Sequence, residues 1–296
     1  MTVEYWRWPE STWKSADIDP RSARSIVAGV DVGTISTQAV VMCDGEILSY
    51  TNLRTGADGS NASAKKALEK ALQAGGIKLE DVKYTVATGF GRKKVLFAQK
   101  AMNEVACHAK GARFMFGPKV RTVFDMGAWT SKAIALTEYG SVADFAANDK
   151  CAAGFGEGIE VMADLMQVPI QEMGERSLSL KEEPALPVST TCRIFANTEA
   201  VGLLRGGAKE NDVLATYLYA VAWRLFSLIG RIDTKAELAL TGGLAKNSGI
   251  VKRLEKYLEM TALTSTYDAQ LAGAIGAALF AGMLAQSPAK VAAGVR

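Results

Sequence analysis

The sequence repeats one local pattern, an apolar run that ends in Asp-x-Gly and is followed by a second apolar run. The pattern first occurs between Ile26 and Cys43, with the motif Asp31-Val32-Gly33, and returns between Val120 and Thr137, with the motif Asp125-Met126-Gly127. Runs of this length that are rich in Val, Ile and Ala predict β-strands. Two copies at so long a spacing exclude a solenoid and indicate a duplicated lobe.

Segments around the two copies alternate between strand-like and helix-like composition. Strand-like runs lie near 84–88, 186–191 and 237–240, and helix-like runs near 63–74, 94–110, 152–166, 213–229 and 269–285. This alternation predicts an α/β fold. We expect an N-terminal arm over 1–25, a first lobe over 26–118 and a second lobe over 119–268, with the terminal helix, about 269–285, as a candidate to return to the first lobe.

Composition narrows the function classes. With 49% hydrophobic residues, 34 basic against 31 acidic side chains and a net charge of +3, the chain can bury a large core and carries no basic bias that would favour nucleic acid. The N-terminus has no secretory pattern. The uncharged run 269–289 fits a buried helix better than a membrane span. The four cysteines are scattered along the chain and form no disulfide framework. We therefore expect a cytoplasmic location.

The Trp-rich arm is open to two interpretations, a docking strap or a segment packed on its own lobe.

The two Asp-x-Gly motifs are typical of phosphate chemistry. A carboxylate at a strand end, beside a Gly without Cβ, lets a phosphate approach the backbone. Asp31 and Asp125, the candidate catalytic carboxylates, would then face each other across a cleft and hold a hydrated Mg²⁺, with the Thr34 hydroxyl on the phosphoryl oxygens. A single Asp-x-Gly is often only a turn, whereas two copies together with Thr241-Gly242-Gly243 are more specific. P-loop and Rossmann motifs are absent from the sequence.

Two cysteines each precede a predicted helix. Cys151 follows Asn148-Asp149-Lys150, and Cys192 follows Ser189-Thr190-Thr191. Helix N-termini stabilise thiolates and bound anions. Two thiolates do not complete an iron–sulfur site that usually needs four, but two subunits would supply four. From spacing alone, buried inert cysteines are the alternative, and the only histidine, His108, is expected to be a satisfied helical residue.

These motifs together resemble one family, the ATPases that contain the ATP-binding subunits of benzoyl-CoA reductase and the activators of 2-hydroxyacyl-CoA dehydratases. The motifs that carry the resemblance are Val30-Asp31-Val32-Gly33-Thr34, Ala87-Thr88-Gly89-Phe90-Gly91-Arg92, Glu104 to Ala112, Asn148 to Gly154, Thr191-Cys192-Arg193-Ile194-Phe195-Ala196 with Glu199, and Thr241-Gly242-Gly243. The resemblance runs in order from about Ile26 to Leu284. Its most specific parts are the two cysteine motifs.

The resemblance implies the two-lobed acetate kinase, sugar kinase, Hsp70 and actin fold, built from duplicated ribonuclease H-like lobes. It also implies ATP, Mg²⁺ and a 4Fe-4S cluster shared with a partner subunit as cofactors. The metal ligands implied for the cluster are Cys151 and Cys192. The implied catalytic and cofactor-binding residues are Asp31, Gly33, Thr34, Asp125 and Gly127 near the phosphates, Thr241, Gly242 and Gly243 near the adenosine, and Gly154, Gly156 and Glu199 around the cysteines.

One departure from the family pattern shapes the expected function. Family members usually continue the second Asp-x-Gly with Gly-Gln-Asp, whereas this chain reads Ala128-Trp129-Thr130. Loss of an amide and a carboxylate that could order Mg²⁺ or the attacking water favours a heterodimer whose other chain keeps the full motif. The resemblance then implies the smaller ATP-binding (delta) subunit of ATP-dependent benzoyl-CoA reductase, an oxidoreductase component that uses ATP to move electrons from ferredoxin through the cluster to the ring-reducing subunits.

The expected partners are a paralogous ATP-binding alpha subunit, the beta and gamma subunits of the reductase, and ferredoxin as electron donor, with neither nucleic acid nor membrane. Three alternatives stay open. They are a homodimeric activator ATPase of a 2-hydroxyacyl-CoA dehydratase, a sugar kinase-like enzyme in which the cysteines are dispensable, and a non-catalytic scaffold that keeps a nucleotide site only for assembly.

Overall fold

The computed structural model describes Glu4, residues 6–180 and residues 187–286. The chain divides into two compact units. The first unit comprises Glu10–Pro118 and Thr266–Arg296, and the second unit comprises Met1–Pro9 and Lys119–Ser265. The C-terminal helix is therefore part of the first unit.

A six-stranded sheet forms the centre of the first unit. Its strands, in chain order, are β1 (Ser11–Lys14), β2 (Ile26–Val32), β3 (Ser36–Cys43), β4 (Glu46–Arg54), β5 (Tyr84–Thr88) and β6 (Lys100–Ala101). Their order in the sheet is β1-β4-β3-β2-β5-β6. β2, β3 and β4 form an antiparallel meander, while β5 lies parallel to β2. The helices are α1 (Ser60–Gly75), α2 (Glu104–Phe116) and α8 (Ala272–Ala285).

The helices cover both faces of this sheet. Leu68 and Ala71 of α1 share one buried cluster with Val30 of β2, while α2 and α8 belong to a cluster that contains Val27 and Val86. The Ala- and Gly-rich composition of α8 follows from this packing. A Cβ at Gly29 or Gly276 would overlap the backbone of the neighbouring element, so small residues permit the close approach. The prediction of a buried terminal helix is confirmed for its described residues.

The second unit has a four-stranded sheet with helices packed on it. Its strands are β7 (Thr122–Met126), β8 (Ser131–Leu136), β9 (Val142–Ala147) and β10 (Leu238–Thr241), in the order β10-β7-β8-β9. Its helices are α3 (Phe155–Met166), α4 (Met173–Ser177), α5 (Arg193–Arg205), α6 (Glu210–Ile229) and α7 (Ser248–Leu258). In the described part of the chain, α6 alone is long and apolar enough to cross a membrane, but 67% of its apolar window is buried in the protein, as in a core helix.

The two sheets repeat one strand order and one turn. The series β4-β3-β2-β5 corresponds to β9-β8-β7-β10, each with one parallel pair. The Gly33 N–H donates to the Ser36 carbonyl at 2.9 Å, and the Gly127 N–H donates to the Thr130 carbonyl at 3.1 Å. The repeated Asp-x-Gly pattern in the sequence thus corresponds to a repeated structural unit.

Some local predictions were wrong. The expected helix over 94–110 is instead a short 3₁₀ turn, the strand β6 and α2, which begins at Glu104 because the Asn103 side chain accepts the Val105 N–H. Residues 187–191 form no strand, and Leu186 lies outside the described residues. α3 begins at Phe155 and not near 152, since Gly154 has φ 82°. Besides β6, the elements β1, β4, β9, α4 and α7 were not expected from the sequence.

The described part of the Trp-rich N-terminal segment packs on the protein. β1 pairs antiparallel with β4, and Trp13 stacks on Tyr50 with ring centroids 5.4 Å apart. Trp6 and Trp8 pack against the second unit's core, where the Lys246 Nζ lies 4.9 Å from the Trp8 ring centroid. Of the two interpretations of this segment, these contacts favour packing on the fold.

Candidate active site

Asp31, in the first unit, lies at the end of β2 and is enclosed by glycines. Its Oδ2 lies 3.6 Å from His108 Nε2, and both side chains are buried. A Cβ at Gly273 or at Gly89 would overlap a carboxylate oxygen of Asp31. The backbone around the carboxylate is therefore shaped so that only glycine fits at two positions. Thr34, next in the same turn, is exposed.

A second turn lies at the same end of the sheet as Asp31. Asp31 pairs in register with Thr88, the last residue of the parallel strand β5. Gly89 follows with φ 86°, and Arg92 Nη1 donates to the Gly89 carbonyl at 2.8 Å and to Glu104 Oε1 at 2.9 Å. The ion pair fixes the turn. The Thr-Gly-Phe-Gly-Arg motif, to which the sequence assigned no role, thus lies beside the candidate carboxylate.

Asp125, in the second unit, occupies the equivalent position at the end of β7 but has a different neighbour. Lys132 Nζ lies 3.3 Å from Asp125 Oδ2 and 3.0 Å from Thr130 Oγ1. Asp125 and Lys132 are cross-strand partners on β7 and β8, and both are buried. A buried charge is costly unless it is paired, so Lys132 compensates the carboxylate. The sequence analysis missed this pair, although a strand hairpin places the residue seven after the Asp directly opposite it.

The Thr241-Gly242-Gly243 turn follows β10, beside Asp125. Gly242 has φ 85°, and a Cβ there would lie 2.9 Å from Asp125 Oδ1 and 2.5 Å from the Met126 carbonyl oxygen. The Thr241 hydroxyl is fully buried and has no hydrogen-bond partner among the described residues. The same holds for the amide nitrogen of Asn247, the residue that caps α7. Buried polar groups normally have partners, so these two fit a site that a polar ligand or water completes.

Cys151 lies in a turn that precedes α3, not on the helix itself. The cysteine is exposed. Asp149 Oδ1 accepts the Ala152 N–H at 2.9 Å, and Asp149 Oδ2 is 2.6 Å from Arg224 Nη2. The Ala152 N–H, helped by Arg224 and the Cys151 N–H, lowers the pKa of Asp149 below its usual value. Asp149 therefore holds the turn that presents the thiol.

Cys192 is the N-cap residue of α5, and its side chain makes no capping hydrogen bond. It is partly exposed. A Cβ at Gly154, three residues after Cys151, would lie 3.0 Å from Nε of Arg193, the residue after Cys192. Arg193 Nη1 also lies 2.9 Å from Glu157 Oε2. The start of α5 and the turn before α3 therefore adjoin each other and bring both cysteine segments to one region.

The loop after the second Asp-x-Gly contacts this region directly. The Gly154 N–H donates to the Trp129 carbonyl at 2.9 Å, and the Glu157 N–H donates to the Ala128 carbonyl at 3.2 Å. A Cβ at Gly156 would lie 2.6 Å from the Ala128 Cα. Asp125, its loop and both cysteine segments thus form one continuous region of the second unit.

The remaining predicted site residues are placed as follows. Glu199 lies on α5, where its Oε2 accepts the Ser189 N–H at 2.5 Å, so it holds the segment before Cys192.

The other two cysteines, Cys43 and Cys107, are buried, and burial raises the pKa of their thiols to about 11 and about 12. No group of three or more His, Cys, Asp or Glu side chains in the described residues could hold a metal ion. Asp31 and Asp125 belong to different units, and their facing each other remains a prediction.

The fold defines the class of the protein. A ROK family glucokinase from Streptomyces griseus, solved in complex with glucose and AMPPNP, matches with a TM-score of 0.54 at 15% identity, over 88% of this chain and 100% of that chain. The predicted fold of sugar kinases, Hsp70 and actin is confirmed.

Residues 28–281 match the BadF/BadG/BcrA/BcrD ATPase family, and the chain belongs to this family. An activator of lactoyl-CoA dehydratase from Anaerotignum propionicum is 38% identical over 87% of this chain and 98% of its own length. The solved activator of the 2-hydroxyisocaproyl-CoA dehydratase from Clostridium difficile, with bound ADPNP, matches with a TM-score of 0.82 at 33% identity, over 92% of this chain and 99% of that chain. One of the benzoyl-CoA reductase subunits from Thauera aromatica is 30% identical over 86% of this chain and 93% of its own length.

Family membership was therefore predicted correctly, and ATP binding is supported by the family and by the nucleotide in the solved relative. The two dehydratase activators are more similar to this chain than the reductase subunit is. The comparisons favour the alternative function, a dehydratase activator, over the benzoyl-CoA reductase subunit expected first.

Proposed function

We propose that this protein is an ATP-hydrolysing activator that delivers electrons to a 2-hydroxyacyl-CoA dehydratase, in line with relatives that are dehydratase activators by name. The observation that carries the proposal is that the second Asp-x-Gly loop contacts two cysteine segments that both reach the surface. It is hydrogen-bonded to the Cys151 segment, and its Trp129 ring contacts Arg193, the residue after Cys192. A plain kinase has no need for such cysteines. Because the loop contacts the cysteine segments, a movement of the loop on nucleotide binding would displace these segments directly.

The cysteine pair fits a 4Fe-4S cluster shared between two chains. Cys151 and Cys192 are the two cysteines that are accessible, and they supply two thiolates, so a second subunit supplies the other two. Such a cluster, when bound, transfers single electrons. The Cys192 side chain is not used as a helix cap, and the nearby helix N-termini favour negative charge. In this chain Asp149 holds the Cys151 turn, and Glu199 holds the segment before Cys192.

The two Asp-x-Gly turns fit different tasks in nucleotide binding. Asp31 is adjacent to neutral backbone and His108, and its glycine-lined surroundings suit a hydrated Mg²⁺ and phosphate oxygens. Asp125 is paired with Lys132 at 3.3 Å, and an ammonium competes with a metal ion for the same oxygens. We therefore assign Mg²⁺ to Asp31, and phosphate contacts through Lys132 and the Gly127 backbone to the second turn.

Coupling requires that ATP and ADP act differently on the loop, because a ligand shifts a conformational equilibrium only by its differential affinity for the two states. The γ-phosphate is the group that differs. A loop that closes on it moves Ala128 and Trp129, whose carbonyls hold the first turn of α3 and the turn before it. Movement of these segments changes how the cysteines are exposed and arranged.

A second candidate is the ATP-binding delta subunit of a benzoyl-CoA reductase, with a paralogous alpha subunit, beta and gamma subunits and ferredoxin as partners. The observation that favours it is the Ala128-Trp129-Thr130 loop, in which Trp129 is partly exposed and Thr130 contacts Lys132. Gel filtration with ATPase measurement separates the two. A self-paired chain that hydrolyses ATP supports the activator, whereas a chain that does so only with a second, different chain supports the reductase component.

The proposed function is tested by anaerobic reconstitution with iron and sulfide. Wild-type protein should hold about four iron atoms per two chains and give an electron paramagnetic resonance signal after reduction that changes with Mg-ATP. Cys151→Ser and Cys192→Ser should lose the iron, while the buried control Cys43→Ala should keep it. Full iron binding by Cys192→Ser would contradict the proposal and favour a kinase.

A further inference from the structure

We propose that Trp129 is the residue through which the second Asp-x-Gly loop controls the exposure of Cys192, by holding the Arg193 guanidinium against its indole. The proposal rests on the proposed function, since it assumes that nucleotide acts on the loop. Trp129 would act as a positioning residue through its contacts with Gly154 and Arg193.

The contact between Trp129 and Arg193 is a cation–π pair. The Arg193 guanidinium carbon lies 5.6 Å from the Trp129 ring centroid, within the range in which such pairs attract. The Arg193 side chain is largely buried, and its guanidinium also pairs with Glu157, with Nη1 2.9 Å from Oε2. Because Arg193 is the first residue of α5 and is bonded to Cys192, anchoring its side chain also anchors the cysteine.

Trp129 contacts both cysteine segments at once. Its carbonyl accepts the Gly154 N–H at 2.9 Å in the turn that starts at Cys151, and its ring contacts Arg193 at the start of α5. Gly154 makes this double contact possible, because a Cβ there would lie 3.2 Å from Trp129 Cε3 and 3.0 Å from Arg193 Nε. A displacement of Trp129 therefore changes the distance between the two segments, not only the position of one of them.

The loop that carries Trp129 is closed at its base by the Gly127 N–H bond to the Thr130 carbonyl. Trp129 is 42% exposed, so the ring lies at the surface and is not locked into the core. A phosphate bound at Gly127 would act two residues from the ring. A cation–π contact to an exposed ring is weak, so the Trp129–Arg193 contact can form in one nucleotide state and break in the other.

Thiol alkylation of the full-length chain, prepared without iron, tests this inference by a readout independent of electron transfer. Cys192 and Cys151 are labelled with iodoacetamide with and without Mg-ADPNP, and nucleotide affinity is measured separately by calorimetry. In wild-type protein, nucleotide should change the Cys192 rate about two- to fivefold, the size of effect that a partly exposed cation–π contact supplies. Cys43 and Cys107, buried with raised pKa values, serve as unreactive internal references.

The matched variants are Trp129→Ala and Trp223→Phe. Trp223, on α6 of the same unit, has nearly the same exposure, 40%, but contacts other aromatic rings. Trp129→Ala should bind nucleotide but lose the Cys192 response, while Trp223→Phe should respond as wild type does. If Trp129→Ala is too unstable to study, Arg193→Gln removes the other half of the contact and should give the same loss.

Two results would overturn the inference while leaving the proposed function in place. One is a Trp129→Ala variant that binds nucleotide and keeps the wild-type Cys192 response. The other is a wild-type protein that binds nucleotide and iron but shows no change in Cys192 labelling. Failure of wild-type protein to bind nucleotide at all would instead contradict the proposed function, and this inference with it.

Discussion

Gly273→Ala tests the placement of the Asp31 carboxylate. A Cβ at Gly273 would overlap Asp31 Oδ2 and lie 2.9 Å from its Cγ and 3.0 Å from His108 Nε2. Ordinary van der Waals contact for such pairs is about 3.5–4 Å, so the carboxylate or the start of α8 must move by more than about 1 Å. A misplacement of this size in a catalytic group costs about 10²-fold in rate.

The stability change of this variant follows from two opposing effects. Replacement of Gly by Ala inside a helix stabilises by about 1 kcal/mol, while overpacking a filled site costs about 1–3 kcal/mol. The net loss is therefore at most about 2 kcal/mol, which for a unit of this size lowers Tm by about 4–8 °C. Gly282→Ala on the same helix is the control, since its Cβ would meet only Val27 Cγ2 at 3.9 Å.

The assay is Mg-ATP hydrolysis at a temperature where both variants are folded, with far-UV circular dichroism to verify folding. Gly273→Ala should lose about 10²-fold of the rate, and Gly282→Ala should keep it with an unchanged or higher Tm. A Gly273→Ala protein that hydrolyses ATP within twofold of Gly282→Ala would refute the reasoning that Asp31 must occupy this position.

Three further outcomes are expected. Native protein at pH 8 should be alkylated at Cys151 and Cys192 but not at Cys43 or Cys107. The Cys43 and Cys107 thiols, with pKa values of about 11 and about 12, are almost wholly protonated at that pH. Equal labelling of all four cysteines in peptide mass spectrometry would contradict this prediction. Lys132→Met should lower the free energy of unfolding by about 3–5 kcal/mol, because it removes the ion pair that compensates the buried Asp125 carboxylate. Adding Asp125→Asn to this variant should recover most of the loss in urea titrations. The pKa of Asp149 is lower in the folded than in the unfolded protein, so the ionised carboxylate stabilises the fold at pH values above its unfolded-state pKa. This stabilisation is lost as the pH falls through the folded-state pKa. Wild type and Asp149→Asn should therefore differ in the free energy of unfolding at pH 6 and converge near pH 2, whereas a difference that stays constant with pH would contradict this prediction.

Local patterns predicted the parts of the fold that depend on near neighbours. The strands around Asp31 and Asp125 were predicted because a continuous apolar run and a following Gly-closed turn depend on a few adjacent residues. The helix after Cys192 was predicted for the same reason. The expected helix over 94–110 was wrong, because the short strand β6 pairs with β5 and that pairing outweighs helical composition.

Short edge elements could not be read from the sequence. β1 is stabilised by hydrogen bonds to β4 and by the stacking of Trp13 on Tyr50, neither of which leaves a periodic pattern in residues 11–14. The motifs predicted Asp31, Asp125 and both cysteines as site residues, and their roles stay predictions. They did not identify His108 as the neighbour of Asp31 or Lys132 as the partner of Asp125.

The sequence by itself determined the duplicated Asp-x-Gly turns, the two cysteine motifs and the α/β class, because each of these is encoded within a single strand, turn or helix start. Only the tertiary structure decided that Lys132 pairs with Asp125 and that Trp129 lies on Arg193. These are contacts between segments, and they depend on which surfaces pack together and on how closely glycines let them approach. No spacing along the chain specifies them.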